Sequence, residues 1–143
     1  MSKRLLLLHG PNLNLLGQRD ASMYGSMTLA ELEASVRNHA ESLGASLDCI
    51  QSNVEGELVD ALHEAQASCH GIVFNPGGYS HTSVALRDAV EAISVPTIEV
   101  HLSNIHNRED FRKKSLTAQA ARACISGLGL QGYLSAVDAL LKS

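Results

Sequence analysis

Short apolar runs alternate with helical periodicities along the whole chain, and this alternation restricts the fold more than any other feature of the sequence. Five runs are predicted as strands: Arg4–Leu8, Ser46–Gln51, Gly71–Asn75, Val95–His101 and Ala121–Ile125. Five strand–helix units in 143 residues give about 29 residues each, the usual size of a βα unit. Strands connected in this way lie parallel, with right-handed crossovers. The sequence therefore predicts a three-layer α/β sandwich with a five-stranded parallel sheet, of the flavodoxin-like type.

Four helices are predicted from the spacing of apolar residues and from their end signals, and a short turn from Asn107 through Phe111 is expected after the fourth strand. The first follows the capping-box pattern Thr28-Leu29-Ala30-Glu31 and ends at Gly44. Ser52-Asn53 is expected to cap the second, and the third is expected over Thr82–Ile93. The fourth runs from about Leu130 to Leu141. Since no linker or change of composition interrupts the series, residues 1–143 are predicted to form a single flavodoxin-like domain.

Composition and charge limit the class of partner. The chain is 45% hydrophobic and 18% charged, which argues against disorder. A net charge of −4 argues against a nucleic-acid partner. The longest purely apolar run, Leu5–Leu8, is too short for a membrane span or a signal peptide. The three cysteines include no CxxC pair, so they are expected to be reduced and buried, and the protein is expected in the cytoplasm.

Polar and proton-handling side chains follow the predicted strands, at the sheet edge where open parallel sheets bind ligands. After the first two strands these are His9, Asn12, Asn14, Arg19, Tyr24, Ser52 and Asn53; with the next two come Asn75, Tyr79, Ser80, His81, Glu99, His101, Ser103, Asn104, Arg108 and Arg112. Arginines, amides and hydroxyls suit a small, anionic, oxygen-rich ligand. Neither HExxH nor a glycine-rich nucleotide motif occurs, so no metal site and no nucleotide site is predicted.

Glu99 and His101 are two residues apart in a predicted strand, so their side chains point to the same side. A carboxylate beside an imidazole orients the ring and favours its charged form, which suits a general acid. A structural pair that satisfies itself at the strand end explains the same spacing equally well.

Arg19 and Tyr24 form a second candidate pair. A phenol titrates near 10 when unperturbed and is a poor base at neutral pH, but a nearby guanidinium stabilises the phenolate. The alternative is an aromatic plug in a turn, with Arg19 in solvent.

Other polar residues also allow two interpretations. His81 either contacts a ligand or closes its own turn at a helix start. Arg108 and Arg112 lie beside two acidic residues, so they either bind an anion or belong to a solvated run of charges. The role of His106, in a predicted loop, stays open.

Three long motifs resemble the type II 3-dehydroquinate dehydratases. They are His9–Arg19 followed by Tyr24-Gly25, then Asn75–Ser83, and finally Glu99–Asn104 followed by Arg108–Arg112. Their order agrees with the family, and the similarity extends from about Leu5 to the final helix. The resemblance implies a flavodoxin-like hydro-lyase of the shikimate pathway, which serves aromatic amino acid biosynthesis. Such enzymes convert 3-dehydroquinate to 3-dehydroshikimate by anti elimination through an enolate, without a cofactor or metal.

The resemblance also implies roles for individual residues. Tyr24 is the base, Arg19 and Arg108 support its phenolate, Asn12 holds a water against the enolate, His101 protonates the departing hydroxyl, and Glu99 orients His101. Substrate-binding positions are Asn75, His81, Ser103 and Arg112, with the backbone amides of Leu102 and Ser103 at the carboxylate. Asp88 matches a residue that reaches the neighbouring subunit's site. A homo-oligomer follows, commonly a homododecamer built as a tetramer of trimers.

Two other functions share this topology. A non-catalytic binding module for a small carboxylate or phosphate needs no Arg19–Tyr24 pair. A phosphoacceptor signalling domain normally carries acidic residues after the first strand, where this chain has His9-Gly10-Pro11.

Overall fold

A five-stranded parallel sheet forms the centre of the computed structural model, which describes residues 2–18 and 26–142. The strands are β1 (Arg4–His9), β2 (Ser46–Gln51), β3 (Gly71–Asn75), β4 (Thr97–His101) and β5 (Ala123–Ser126). Their order across the sheet is β2-β1-β3-β4-β5, and all neighbours are parallel. This is the strand order of flavodoxin-like folds, so the predicted fold class is confirmed.

Helices cover both faces of the sheet. They are α1 (Leu29–Ser42), α2 (Glu55–Ser68), α3 (Val84–Ala92) and α4 (Leu130–Lys142). Leu5 and Leu7 of β1 pack with α1 and α4, whereas Leu6 and Leu8 pack with α2 and α3. The four leucines are therefore all buried, as in strands covered on both faces. Within the described ranges, no helix combines the length and the apolar character that crossing a bilayer requires.

Helix α1 begins with the predicted capping box. The hydroxyl of Thr28 accepts a hydrogen bond from the Glu31 backbone N–H, and the Glu31 carboxylate accepts one from the Thr28 N–H. The predicted Ser52-Asn53 cap of α2 is wrong, because α2 begins at Glu55. Ser52 Oγ instead accepts a hydrogen bond from the Val54 N–H, and Asn53 Oδ1 accepts one from the backbone N–H of Asn12, in the loop after β1.

Other boundaries also differ from prediction. Strand β1 ends at His9 rather than Leu8, and β5 spans Ala123–Ser126 rather than Ala121–Ile125. Residues 77–81 form a 3₁₀ helix, so α3 begins only at Val84, where Ser83 Oγ accepts from the Leu86 N–H. Strand β4 begins at Thr97 rather than Val95, since Pro96 has no N–H to donate to the ladder.

The cysteines are less buried than predicted. All three are free thiols, but Cys124 is exposed and Cys49 and Cys69 are half-buried. Cys124 lies on β5, at the sheet edge. Partial burial raises the pKa values of the Cys49 and Cys124 thiols to about 11, so both thiols are neutral near pH 7.

Candidate active site

A pocket opens at the carboxyl ends of β1, β3 and β4, the sheet edge where the sequence predicts a site. Predicted site residues that line it are Asn12, Asn75, His81, His101, Leu102, Ser103, Arg108 and Arg112. The remaining lining residues are Pro11, Leu13, Gly77, Gly78 and Ile105. Three separate stretches of sequence thus meet in one pocket.

Of the predicted site residues that the structure describes, two do not line the pocket. Glu99 lies behind His101 in β4. Asp88 is exposed on α3, and its carboxylate lies 3.2 Å from Arg87 Nη1. Arg19 and Tyr24 lie outside the described residues.

Two glycines allow the loops after β1 and β3 to touch. The Gly10 N–H donates to the Asn75 carbonyl at 2.7 Å. A Cβ at Gly10 would lie 2.3 Å from the Pro76 carbonyl oxygen, and a Cβ at Gly77 would lie 2.9 Å from that of Pro11. Gly77 also has a φ of +62°, which favours glycine. This contact places Asn12 beside the β3 loop.

Asn12 adopts the left-handed conformation, with φ 69° and ψ −3°. Asparagine tolerates this region better than most residues do. Its N–H donates to Asn53 Oδ1 at 3.0 Å, and Gln51 Nε2 donates to the Gly10 carbonyl at 3.1 Å. The end of β2 therefore holds the backbone of the loop, while the Asn12 residue itself is exposed at the pocket.

Asn75 uses its buried amide to shape the β3 loop. Its Nδ2 donates to Tyr133 Oη at 2.9 Å, and its Oδ1 accepts from the Gly77 N–H at 3.0 Å. Both ends of the side chain are thus fixed while the residue contributes to the pocket lining.

The Glu99–His101 pair lies at the end of β4. His101 Nε2 donates to Glu99 Oε2 at 2.7 Å, and the two side chains are almost fully buried. The hydroxyls of Ser115 and Thr117 also donate to Glu99, at Oε2 and Oε1 respectively. Three donors around two oxygens fit an ionised carboxylate. Since Nε2 is engaged, Nδ1 is the His101 nitrogen that can exchange a proton with a ligand.

His81 lies against His101. The two rings stack with centroids 6.4 Å apart and planes 24° apart. His81 Nδ1 donates to the Lys114 carbonyl at 2.8 Å, so it does not close its own turn. Burial lowers the pKa of His81, although this hydrogen bond opposes the shift. The ring is therefore neutral near pH 7, and its Nε2 can accept a hydrogen bond.

Arg108 and Arg112 supply positive charge to the pocket. Their side chains are 11% and 26% exposed, which excludes a fully solvated run of charges. Arg108 Nη1 donates to Ser103 Oγ at 3.3 Å, and Arg112 Nε donates to Glu109 at 3.0 Å. Guanidinium groups in this setting suit an anionic ligand. His106, by contrast, is exposed and is not one of the lining residues.

Comparison with known proteins identifies the family. The family described as Dehydroquinase class II matches residues 3–141. The chain belongs to this family. It is 56% identical over 136 residues to a 3-dehydroquinate dehydratase of Pelotomaculum thermopropionicum, a match covering 95% of this chain and 94% of that protein. The predicted resemblance, and the prediction of an enzyme, are confirmed.

Solved structures agree with this assignment. A type II dehydroquinase from Butyrivibrio crossotus superposes with a TM-score of 0.95 at 40% identity, covering 97% of each chain. One from Propionibacterium acnes gives the same TM-score at 36% identity, covering 100% of this chain and 99% of that one.

Sequence reasoning missed three residues that support this class II dehydroquinase site. Ser115 and Thr117 hold Glu99, and Tyr133 holds Asn75. Tyr133 lies in the apolar pattern of α4, so it is indistinguishable from a packing residue. The two hydroxyl residues lie in an irregular segment outside the three motifs. A polar residue within a helix's buried stripe is the one signal that could have drawn attention to Tyr133.

Replacing Tyr133 by phenylalanine is expected to weaken the dependence of stability on alkaline pH. Burial raises the pKa of Tyr133 to about 12, whereas an unfolded tyrosine titrates near 10. Above pH 10 the unfolded state therefore binds fewer protons, and the free energy of unfolding of the wild type falls as pH rises toward 12. Urea unfolding at pH 8, 10 and 11 measures this decline, which should be shallower in Tyr133→Phe. Identical declines would contradict the assignment, because all other titrating groups are common to both proteins.

Proposed function

We propose that this class II dehydroquinase removes water from 3-dehydroquinate to give 3-dehydroshikimate, as a step of the shikimate pathway in aromatic amino acid biosynthesis. The observation that carries the proposal is the buried Glu99–His101 pair beside a pocket that Arg108 and Arg112 also line. The substrate is a hydroxylated cyclohexane carboxylate with a ketone. Its carboxylate matches the guanidinium groups, and its leaving hydroxyl needs a proton donor.

The first step is removal of a proton from C2, next to the ketone. Tyr24 takes this proton as a phenolate, which the guanidinium groups of Arg19 and Arg108 stabilise. Support for Tyr24 and Arg19 comes from the motif His9–Arg19 followed by Tyr24-Gly25. The C2–H electron pair moves to the ketone oxygen and forms an enolate. A water molecule held by Asn12 stabilises the negative oxygen.

The second step expels the hydroxyl from C1. His101, protonated at Nδ1 and held at Nε2 by Glu99, gives its proton to that hydroxyl. The C1–O bond breaks, water leaves, and the enolate electrons form the C1–C2 double bond while the ketone is restored. Tyr24 has gained one proton and His101 has lost one, so solvent exchange returns both to their starting states. The base and the acid act on opposite faces of the ring, which makes the elimination anti.

The remaining pocket residues bind the substrate. The backbone amides of Leu102 and Ser103, with Arg112, receive the carboxylate. The neutral His81 ring accepts a hydrogen bond from a ring hydroxyl through Nε2, and Asn75 and the Ser103 side chain contact the other polar groups.

We further propose a cytoplasmic homo-oligomer, a homododecamer built as a tetramer of trimers. The exposed carboxylate of Asp88, on α3, fits a role in a neighbouring subunit's site. The three free thiols fit a reducing compartment. The mass in solution tests the assembly, which requires twelve times the chain mass of 15.2 kDa.

The decisive experiment mixes the protein with 3-dehydroquinate and follows ultraviolet absorbance. A conjugated enone forms only if water is eliminated, so absorbance should rise with time and in proportion to enzyme concentration. Saturable binding without any rise would identify a binding module instead and would contradict the proposal.

A further inference from the structure

We infer that Ser115 and Thr117 are positioning residues for the proton donor, because together they fix the carboxylate that orients His101. The inference rests on the proposed function, in which His101 protonates the leaving hydroxyl. Neither residue lines the pocket, so both act through Glu99.

The hydrogen bonds around Glu99 distribute the donors over both of its oxygens. Thr117 Oγ1 donates to Oε1, while Ser115 Oγ, at 2.5 Å, and His101 Nε2, at 2.7 Å, donate to Oε2. A hydroxyl has only one proton to donate, and each of these two gives it to Glu99. The carboxylate is thus held at both ends and cannot rotate about its terminal bond without losing a donor.

The segment 114–118 that carries the two hydroxyls is itself anchored beside the pocket. The Leu116 N–H donates to the Ser80 carbonyl at 2.6 Å, and the Ala118 N–H donates to Ser115 Oγ at 3.1 Å. The Lys114 carbonyl accepts from His81 Nδ1 at 2.8 Å. One short segment therefore orients both imidazoles, His81 directly and His101 through Glu99.

The burial of Thr117 indicates that its hydroxyl serves to form a hydrogen bond and not merely to pack. Thr117 is 0% exposed, Ser115 is 9% exposed and Glu99 is 1% exposed. A residue needed only for packing at such a site would be apolar, since a buried hydroxyl requires a partner. Valine has nearly the shape of threonine, so comparing the two side chains isolates the hydroxyl.

Several charged or titratable groups surround the Glu99–His101 pair. The His81 ring stacks on His101, Cys124 of β5 lies with its Sγ 4.0 Å from Glu99 Oε2, and Arg108 and Arg112 line the same pocket. These groups are unchanged by a substitution at Thr117. A change in the hydrogen bond between His101 and Glu99 would therefore report the lost hydroxyl.

The test compares Thr117→Val with Thr117→Ser, which keeps the hydroxyl. Loss of one hydrogen bond to the carboxylate should lower kcat about tenfold. KM should change by less than about twofold, because Thr117 does not touch the substrate, and Thr117→Ser should stay close to the wild type. Equal losses in the two variants, or wild-type kcat in Thr117→Val, would overturn the inference.

A second measurement does not depend on turnover. Removing a donor lets the Glu99 carboxylate rotate and changes the hydrogen bond that it accepts from His101, so the NMR chemical shift of the His101 Nε2–H should change in Thr117→Val but not in Thr117→Ser. An unchanged chemical shift in Thr117→Val would overturn the inference. Ser115→Ala should change the same chemical shift, and it replaces Thr117→Val if that variant does not fold. If the wild type forms no enone, the proposed function fails, while the chemical shift still tests the positioning role.

Discussion

Replacement of Tyr24 by phenylalanine is expected to lower kcat by at least about 10²-fold, the usual contribution of a positioned general base. Phenylalanine keeps the ring and its shape but has no oxygen to accept the C2 proton. The substrate still meets the same surface, so KM should change much less than kcat. Initial rates of enone formation over a range of 3-dehydroquinate concentrations separate the two constants.

Tyr79→Phe is the matched control for this prediction. Tyr79 Oη donates to the Asn53 carbonyl at 2.8 Å, and Tyr79 does not line the pocket. Its loss should therefore change kcat by no more than a few-fold. If Tyr24→Phe turned over at nearly the wild-type rate, the base would have to be another group.

Replacement of His101 by glutamine is expected to lower kcat by about 10²- to 10⁴-fold. The amide nitrogen of glutamine can replace imidazole Nε2 as a donor to Glu99, so the buried carboxylate keeps its three hydrogen bonds. An amide cannot release a proton to the leaving hydroxyl, however, and the second step of the elimination loses its acid. The same absorbance assay measures the effect.

His106→Gln provides the corresponding control, because His106 is exposed and does not line the pocket. It should retain the wild-type kcat. A result in which His101→Gln raised KM but left kcat intact would assign His101 to substrate binding rather than proton donation.

The fold was predictable because its signals are local. The run Leu5–Leu8 contains no polar residue, as a strand covered on both faces requires, and all four side chains are buried. Thr28 and Glu31 form the capping box that their spacing indicates. The cap of α2 was not predictable in the same way. Ser52 and Asn53 have suitable side chains, but the β1 loop and the local backbone use them instead.

In the candidate site, too, some residues were predictable from the sequence and others were not. The pocket residues belong to motifs placed after strands, and parallel strands bring those positions together regardless of sequence separation. Ser115 and Thr117 escaped prediction because their role depends on their distance from Glu99, which is 16 and 18 residues away along the chain. Cys124 was assigned to the interior on residue type alone, whereas its place on the last strand of the sheet leaves it exposed.

The contact between Gly10 and Pro76, and between Gly77 and Pro11, has a consequence for how such an enzyme can diversify. Adding even one methyl group at either glycine would force apart the peptide units that bear Asn12 and Asn75. The gap between these two groups is therefore dictated by main-chain atoms, which point mutation cannot adjust gradually. Adaptation to altered substrates is therefore expected at the side chains that line the pocket rather than at these two glycines.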